Sequence, residues 1–589
     1  MIIHSLFPAN ATEQMDQRLH AAVARATSSV SPTQVLLSYI DWATHLASAP
    51  GKRLELLQLA ISQGLLLSQY LEGSAMARLA HMPGAESVPN PVKPPESDWR
   101  FDAPEWQAWP YNLLHQSYLL SEQWWSAATS DNIHGISPHH AKVVGFAAQE
   151  LLKLFSPRNF LATNPQALQR TIKEGGANLW RGGLYALDDM MRQARGAPKF
   201  GAEAYAVGRN LAMTPGQVIL KNDLMELIQY KPTTAQAHPE PVLIIPAWIM
   251  KYYILDLSPH NSLIKYLVGQ GHTVFCISWK NPGVAERDLG MDDYLSRGFH
   301  AALAAVNAVV PECKVHALGY CLGGTLLSIA AAAMARDNDD RLASISMLAA
   351  QTDFSEPGDL SLFIDHSQVA LLEDQMSDTG YLTTEQMAGA FQLLRSDYLL
   401  WSHLIDTYMM GERQPMGDLM AWNADATRMP ARMHSQYLRR LFLDNDLAGG
   451  RYPVGGKPVA LTDIRVPVFC LGTVTDHVAP WRSVYKIHLL TAAEITFVLT
   501  NGGHNAGVVN EPGHHHRKFQ SLTRRACDSY LGPDEWLKKA PEQTGSWWPG
   551  WIAWLKARSS APAALPPMGA PKQGYAAIGP APGRYVLEK

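Results

Sequence analysis

A chain of 589 residues is too long for one small domain and, at about one domain per 150 residues, fits two to four units. Hydrophobic residues make up 47 % and charged residues 17 %, which excludes a disordered chain, and a net charge of -4 gives no footing for a nucleic-acid binder. The five cysteines, Cys276, Cys313, Cys321, Cys470 and Cys527, are odd in number and unevenly spaced; they argue against a disulfide framework or a CxxC metal site and fit a reducing cytosol.

The opening "MIIHSLFPANATEQMDQ" has neither a basic n-region nor a long apolar core. No later apolar run reaches membrane-spanning length, so a soluble chain without a transmembrane segment is expected, one still able to sit on a surface. From Thr12 to Met82 the pattern is helical, with Ser31 as the expected N-cap of "SPTQVLLSYIDWATHL" and Pro32 at its first position. The five prolines of "MPGAESVPNPVKPPESD", Met82 to Asp98, remove backbone donors and predict a loop. Helical periodicity returns in "YNLLHQSYLLSEQWWSAA" and "SPHHAKVVGFAAQELLKLF". A mainly helical N-terminal domain is therefore expected over residues 1–205.

Near Val207 the texture changes. "QVILKND" and "MELIQYKP" read as a hairpin, followed by "PVLIIPAW", "HTVFCISW", "KVHALGY", "ASISMLAA", "VPVFCLGT" and "ITFVLTNGG". The later runs are nearly continuous in Val, Ile, Leu and Phe, as parallel strands covered on both faces require. An α/β catalytic domain is expected over 206–558. Its strand series pauses at about 355–460, where patterns such as "SQYLRRLFLDND" predict a helical insertion, a lid above the C-terminal edge of the sheet. Residues 559–589, rich in Pro, Gly and Ala, predict an extended tail.

The stretch "HALGYCLGGTLL", His316 to Leu327, follows a predicted strand and opens a predicted helix. It has the outline Gly-x-nucleophile-x-Gly of the elbow that α/β hydrolases use to present a nucleophile, with Cys321 at the centre between Gly319 and Gly323. A thiolate there would be stabilised by the unpaired amides of a helix N-terminus. The same fold takes an acid and a histidine from later strand ends. "VTDHVAPW" offers Asp476 and His477, and "NGGHNAGVV" offers His504. The order Cys321, Asp476, His504 is the hydrolase order; His504 is preferred to His477 as base because glycines precede it, and His477 is left an auxiliary, orienting role. The expected oxyanion hole combines the amide of Leu322 with one from Ala247, Trp248 or Ile249, Trp248 being the first choice.

Other clusters read more plainly. His514 to His516 are adjacent and cannot all face one ion, so no metal site is expected. "RDNDDR", Arg336 to Arg341, lacks the glycine and distal glutamate of a calcium loop and reads as a turn after a helix. The tryptophans of "GSWWPGWIAWL", Gly545 to Leu555, are expected to pack a terminal helix onto the core.

From about Trp99 to Val586 the sequence resembles the polyhydroxyalkanoate (poly-3-hydroxybutyrate) synthases of the long, single-subunit kind. The resemblance rests on "FLATNP" from Phe160, "VGRNLAMTPGQV" from Val207, "KYYILDL" from Lys251 and "QGHTVFCISWKNP" from Gln270, then "GYCLGGT" from Gly319, "WNADATRMP" from Trp422 and "APGRYV" from Ala581. It implies an α/β-hydrolase fold in which Cys321 carries the growing chain and His504 activates it, while Asp476 assists His504 or activates the 3-hydroxyl of the incoming monomer. It further implies an (R)-3-hydroxyacyl-CoA substrate, 3-hydroxybutyryl-CoA first among them, coenzyme A as leaving group with no resident cofactor, and a homodimer at a cytoplasmic granule surface. Two stretches depart from the family pattern. Pro246 to Lys251 replaces Pro-Pro-x-Ile-Asn-Lys, which puts Trp248 at the second oxyanion position, and "LRSDYLLW", Leu394 to Trp401, replaces Leu-Arg-Pro-Asn-Asp-Leu-Val-Trp. A cysteine thioesterase on the same fold and a non-catalytic granule protein are the rival readings.

Overall fold

The computed structural model describes residues 9–80, 89–94, 98–387, 389, 396 and 400–589. Much of the proline-rich loop expected at Met82 to Asp98, and most of Leu394 to Trp401, lie outside them. The chain forms two compact units. One comprises Met1–Ser29, Gly201–Ala388 and Met416–Lys589; the other comprises Val30–Phe200 and Gly389–Pro415.

Helix α1 (Ala9–Ala26) belongs to the first unit, and the helices α2 (Pro32–Ser48), α3 (Pro50–Ala80), α4 (Tyr111–Ala128), α5 (Pro138–Leu154), α6 (Pro165–Lys173) and α7 (Ala177–Ala194) form the second. Ser31 caps α2 as expected, its hydroxyl accepting from the Gln34 amide at 3.3 Å, and Asn164 caps α6 by accepting from Ala167 at 3.1 Å. Around α4 the buried rings of Phe101, Trp106 and Tyr118 make a small core. The turn Leu404–Met409 packs on α7 so closely that a Cβ on Gly182 would lie 1.9 Å from the Tyr408 carbonyl oxygen. Part of the segment between the strands at 342–348 and 468–473 is thus built into the helical unit.

The first unit is organised by an eleven-stranded sheet. Its strands are β1 (Gly216–Lys221), β2 (Met225–Tyr230), β3 (His238–Ile245), β4 (His272–Trp279), β5 (Val315–Tyr320), β6 (Leu342–Leu348), β7 (Val468–Thr473), β8 (Ile495–Thr500), β9 (Lys518–Arg524), β10 (Glu542–Thr544) and β11 (Gly579–Pro580). The spatial order is β10-β9-β8-β7-β6-β5-β3-β4-β2-β1-β11. Strands β3 to β8 are mutually parallel where they pair, and β1 with β2 forms the expected hairpin. Every residue of β4, β5, β7 and β8 is buried, because apolar cores lie on both faces of the sheet; this is why those strands read as continuous apolar runs.

The order reverses at β3, which pairs with β4 on one side and β5 on the other, so the crevice beyond the C-terminal ends of β3 and β5 is the topological switch point where α/β sheets bind ligands. Helix α8 (Leu322–Arg336) leaves β5 at that point. Arg336 to Arg341 is the turn that ends it, with Arg341 bonded to Asp339 and Arg336 to Asp337. Between β6 and β7 the sheet unit carries α9 (His366–Thr379) and the helical segment Ala431–Tyr437, and α1 packs on α9 with His20 Nδ1 2.7 Å from Asp374 Oδ2. Helix α10 (Trp548–Lys556) buries Trp548, Trp551 and Trp554 against the sheet. The segment 559–589 carries two short 3-10 turns, Pro571–Gln573 and Tyr585–Leu587, and is tied to the sheet: β11 pairs with β1, and buried Glu226 accepts the amides of Arg584 and Tyr585.

Candidate active site

Cys321 sits between β5 and α8 with φ +52°, ψ -121°, a region that costs a non-glycine residue about 1–3 kcal/mol. The backbone around it enforces this conformation. Its amide donates to Leu348 on β6 at 2.9 Å, and its carbonyl accepts from Gly324 at 2.9 Å and Thr325 at 3.2 Å. Neither flanking glycine tolerates a side chain: a Cβ on Gly319 would lie 2.4 Å from Gly324 Cα, and one on Gly323 would lie 1.9 Å from the Ile245 carbonyl oxygen. The strained turn holds the thiol off the sheet at the N-terminus of a buried helix.

Asp476 lies in the turn after β7 and is almost fully buried. Its Oδ1 accepts from the amides of Val478 at 2.9 Å and Ala479 at 2.8 Å, and its Oδ2 from Thr473 Oγ1 at 3.1 Å. The same Oδ2 is 2.8 Å from His504 Nδ1. Burial alone would raise the Asp476 pKa, but His504 and the two amides outweigh it and hold the carboxylate below its ordinary range.

His504 stands on the turn after β8, within hydrogen-bonding reach of Cys321. Burial disfavours its imidazolium; the Asp476 carboxylate and a charge at Cys321 prevail and push its pKa well above that of an ordinary histidine. With Nδ1 engaged by Asp476, Nε2 is the nitrogen left for the thiol. Cys321, His504 and Asp476, singled out in sequence, therefore meet in space in that order.

His477 is half-buried beside Asp476, and its carbonyl oxygen packs against Gly358, where a Cβ would come within 2.8 Å. Leu322 opens α8, where helix geometry leaves its amide without an intrahelical acceptor. Gly323 packs on the carbonyl groups of Ile245 and Pro246, which brings the segment after β3 to the same helix end. Thr427 anchors that segment by donating from Oγ1 to the Trp248 carbonyl at 2.6 Å and from its amide to Ile249 at 3.1 Å. The Trp248 ring is committed to the core: it lies 4.9 Å from Tyr294 and 6.2 Å from Trp279, with Nε1 donating to Met433 Sδ at 3.1 Å. His514, His515 and His516 are spread along an exposed turn.

Sequence reasoning missed four groups that border this site. Tyr437, from the insertion, is raised in pKa first by burial and then by charge at Cys321, which marks its nearness to the thiol, and it packs with Phe354 and Phe442. Its signal is hidden because Tyr437 lies 116 positions after Cys321. Tyr320 stacks on the His504 ring with centroids 5.6 Å apart. Trp547 and Trp548 donate from their indole nitrogens to the carbonyls of Gly507 and Val508, at 3.0 and 3.1 Å, on the turn that carries His504. The tryptophan cluster packs a helix as expected, and also fastens this turn.

Three family descriptions match the chain: "Poly-beta-hydroxybutyrate polymerase N terminal" over residues 10–52, "Poly-beta-hydroxybutyrate polymerase (PhaC) N-terminus" over 97–267 and "alpha/beta hydrolase fold" over 240–511. A poly(3-hydroxyalkanoate) polymerase of Methylorubrum extorquens is 41 % identical over 87 % of this chain and 84 % of its own. Poly(3-hydroxyalkanoate) polymerase subunits of Rhizobium etli and Cupriavidus necator are 37 % and 36 % identical, over 90 % and 84 % of this chain and 83 % and 84 % of theirs. An elbow cysteine on a hydrolase sheet, joined to this similarity along most of its length, makes the chain a member of the poly(3-hydroxyalkanoate) polymerase family of acyltransferases.

Proposed function

We propose that the protein polymerises (R)-3-hydroxyacyl groups, 3-hydroxybutyryl first among them, from their CoA thioesters through an acyl-enzyme on Cys321. His504 takes the thiol proton, and the thiolate attacks the thioester carbonyl while the amides of Leu322 and Trp248 face the developing oxyanion. CoA leaves with the proton from His504. In the second half, a 3-hydroxyl loses its proton to His504 and attacks the acyl-enzyme, forming an ester and regenerating the thiol. Asp476, bonded to His504 Nδ1, holds the imidazole and stabilises its cation, with His477 beside it in an auxiliary place.

The observation that carries this reading is the assembly of Cys321, His504 and Asp476 on a strained elbow. A thiol suits the chemistry: acyl exchange from CoA to cysteine conserves a thioester, so the intermediate stays reactive toward a hydroxyl. Tyr437, on which the Cys321 charge acts, packs with Phe354 and Phe442, and these apolar rings favour exclusion of water. We assign the enzyme to the surface of polyester granules in the cytoplasm, as a homodimer. The exposed apolar side chains Leu36, Leu57, Ile61 and Leu65 of α2 and α3 suit an apolar surface, and among the described residues no helix is long and apolar enough to cross a membrane.

The test is incubation of purified protein with 3-hydroxybutyryl-CoA, following free CoA and the fate of the acyl group together. CoA release with polymer, abolished in Cys321→Ala, is the expected result. Soluble 3-hydroxybutyrate without polymer points to a thioesterase, and CoA release unchanged by Cys321→Ala rejects the acyl-enzyme.

A further inference from the structure

Tyr320 is the residue immediately before the nucleophile, at the end of β5, and it is 3 % exposed. Its ring lies against the His504 imidazole at an interplanar angle of 30°, and its hydroxyl donates to Asn505 Oδ1 at 2.6 Å. Asn505 is the residue immediately after the base, and its carbonyl closes the turn by accepting from Val508 at 3.1 Å and Val509 at 2.9 Å. One side chain on the nucleophile's strand therefore touches the base by its face and the base's neighbour by its tip. Burial first, then the charges of Cys321 and Asp476, push the phenol's pKa well above its ordinary value, so it stays a neutral hydrogen-bond donor.

The geometry points to Tyr320 as a positioning residue: with Asn505 it ties the turn bearing His504 to the strand bearing Cys321, fixing the thiol-to-imidazole distance. The physical need is clear. Asp476 holds His504 at Nδ1, a bond that leaves the ring free to swing about that contact, and β5 and β8 are not neighbours in the sheet, so no ladder hydrogen bond sets their separation. A stacked ring restrains the imidazole plane, and the hydroxyl clamp restrains the turn. The inference rests on the proposed pairing of Cys321 with His504.

Its test uses Tyr320→Phe, which keeps the stack and deletes the donor, and Asn505→Leu, which deletes the acceptor. The readout is the pH dependence of iodoacetamide alkylation on the peptide containing Cys321, followed by mass spectrometry, beside kcat and KM with 3-hydroxybutyryl-CoA. Each variant is expected to make the pH profile of Cys321 alkylation differ from that of the wild type. Each is expected to lower kcat about tenfold with KM unchanged, and the double variant to be no worse than the worse single one. Wild-type midpoints and kcat in both single variants, a change confined to KM, or strictly additive losses in the double variant overturn the positioning role. His504→Ala separates this from the underlying reading. If it leaves the Cys321 midpoint at the wild-type value, the thiol–histidine pairing itself fails; if it moves the midpoint and Tyr320→Phe does not, only the clamp fails.

Discussion

His504 Nδ1 and Asp476 Oδ2 are 2.8 Å apart, and the carboxylate in that contact is bound from behind by two backbone amides and Thr473. The consequence is electrostatic as well as geometric. A buried imidazole would ordinarily be held neutral, yet Asp476 and a charge at Cys321 favour its cation.

Asp476→Asn keeps the shape of this contact and removes its charge. The His504 cation loses its partner, so the imidazole becomes a weaker base toward the Cys321 thiol. CoA release from 3-hydroxybutyryl-CoA is expected to fall about a hundredfold or more at neutral pH. Activity within a factor of about two of wild type, measured as kcat, would remove Asp476 from the mechanism.

Gly323→Ala is expected to be severe. The added Cβ would lie 1.9 Å from the Ile245 carbonyl oxygen and 2.8 Å from the Pro246 carbonyl carbon, both backbone atoms, so the helix end and the segment after β3 must separate. A loss of about 3 kcal/mol or more in unfolding free energy is expected, with activity lost alongside it. In Gly183, on α7, a Cβ meets nothing within 4 Å, and Gly183→Ala is expected to stabilise by up to about 1 kcal/mol. Paired denaturant titrations distinguish the two.

Trp547→Phe and Trp548→Phe each delete one indole donor and leave the buried carbonyl of Gly507 or Val508 unpaired. Each is expected to cost about 1–3 kcal/mol of stability. Because those carbonyls belong to the turn bearing His504, kcat should fall in folded protein as well. Full kcat at temperatures where the variants remain folded would show that the tryptophans act on stability alone.

Acid should unfold the sheet unit through histidines remote from the thiol. His272 and His316 lie at the N-terminal ends of β4 and β5 and are 0 % and 1 % exposed. Burial, reinforced by His238, His316 and Lys556, lowers His272 to about 3; burial lowers His316 to about 4 against a smaller opposing effect of Glu240. A histidine depressed in the folded state contributes stability that is present above its unfolded value, about 6.5, and is lost as pH falls toward the folded one. Each histidine adds a slope of about 1.4 kcal/mol per pH unit in that window. Neither ring nitrogen of His272 has a hydrogen-bond partner among the described residues, so His272→Leu should flatten the profile. Equal urea midpoints for wild type at pH 7.5 and pH 5 would contradict this.

Much of this architecture is local in origin and therefore legible along the chain. The parallel strands announce themselves because burial on both faces demands unbroken apolar runs, as in "VFCLGT" and "ITFVLT". The elbow is legible because its steric demands fall on adjacent residues, Gly319, Cys321 and Gly323. Chain order, with the glycines that precede His504, was enough to bring Asp476 and His504 forward as candidates, since in this fold each partner follows its own strand. Tyr437, the clamp from Tyr320 to Asn505 and the indole bonds of Trp547 and Trp548 were decided only in three dimensions. Each joins segments distant in sequence, and the residue types involved are those of an ordinary core, so no spacing betrays them. The same holds for Trp248: the sequence placed it after β3, but packing against Tyr294, Trp279 and Met433 decided where its ring went, because a side chain follows the cavity that can bury it.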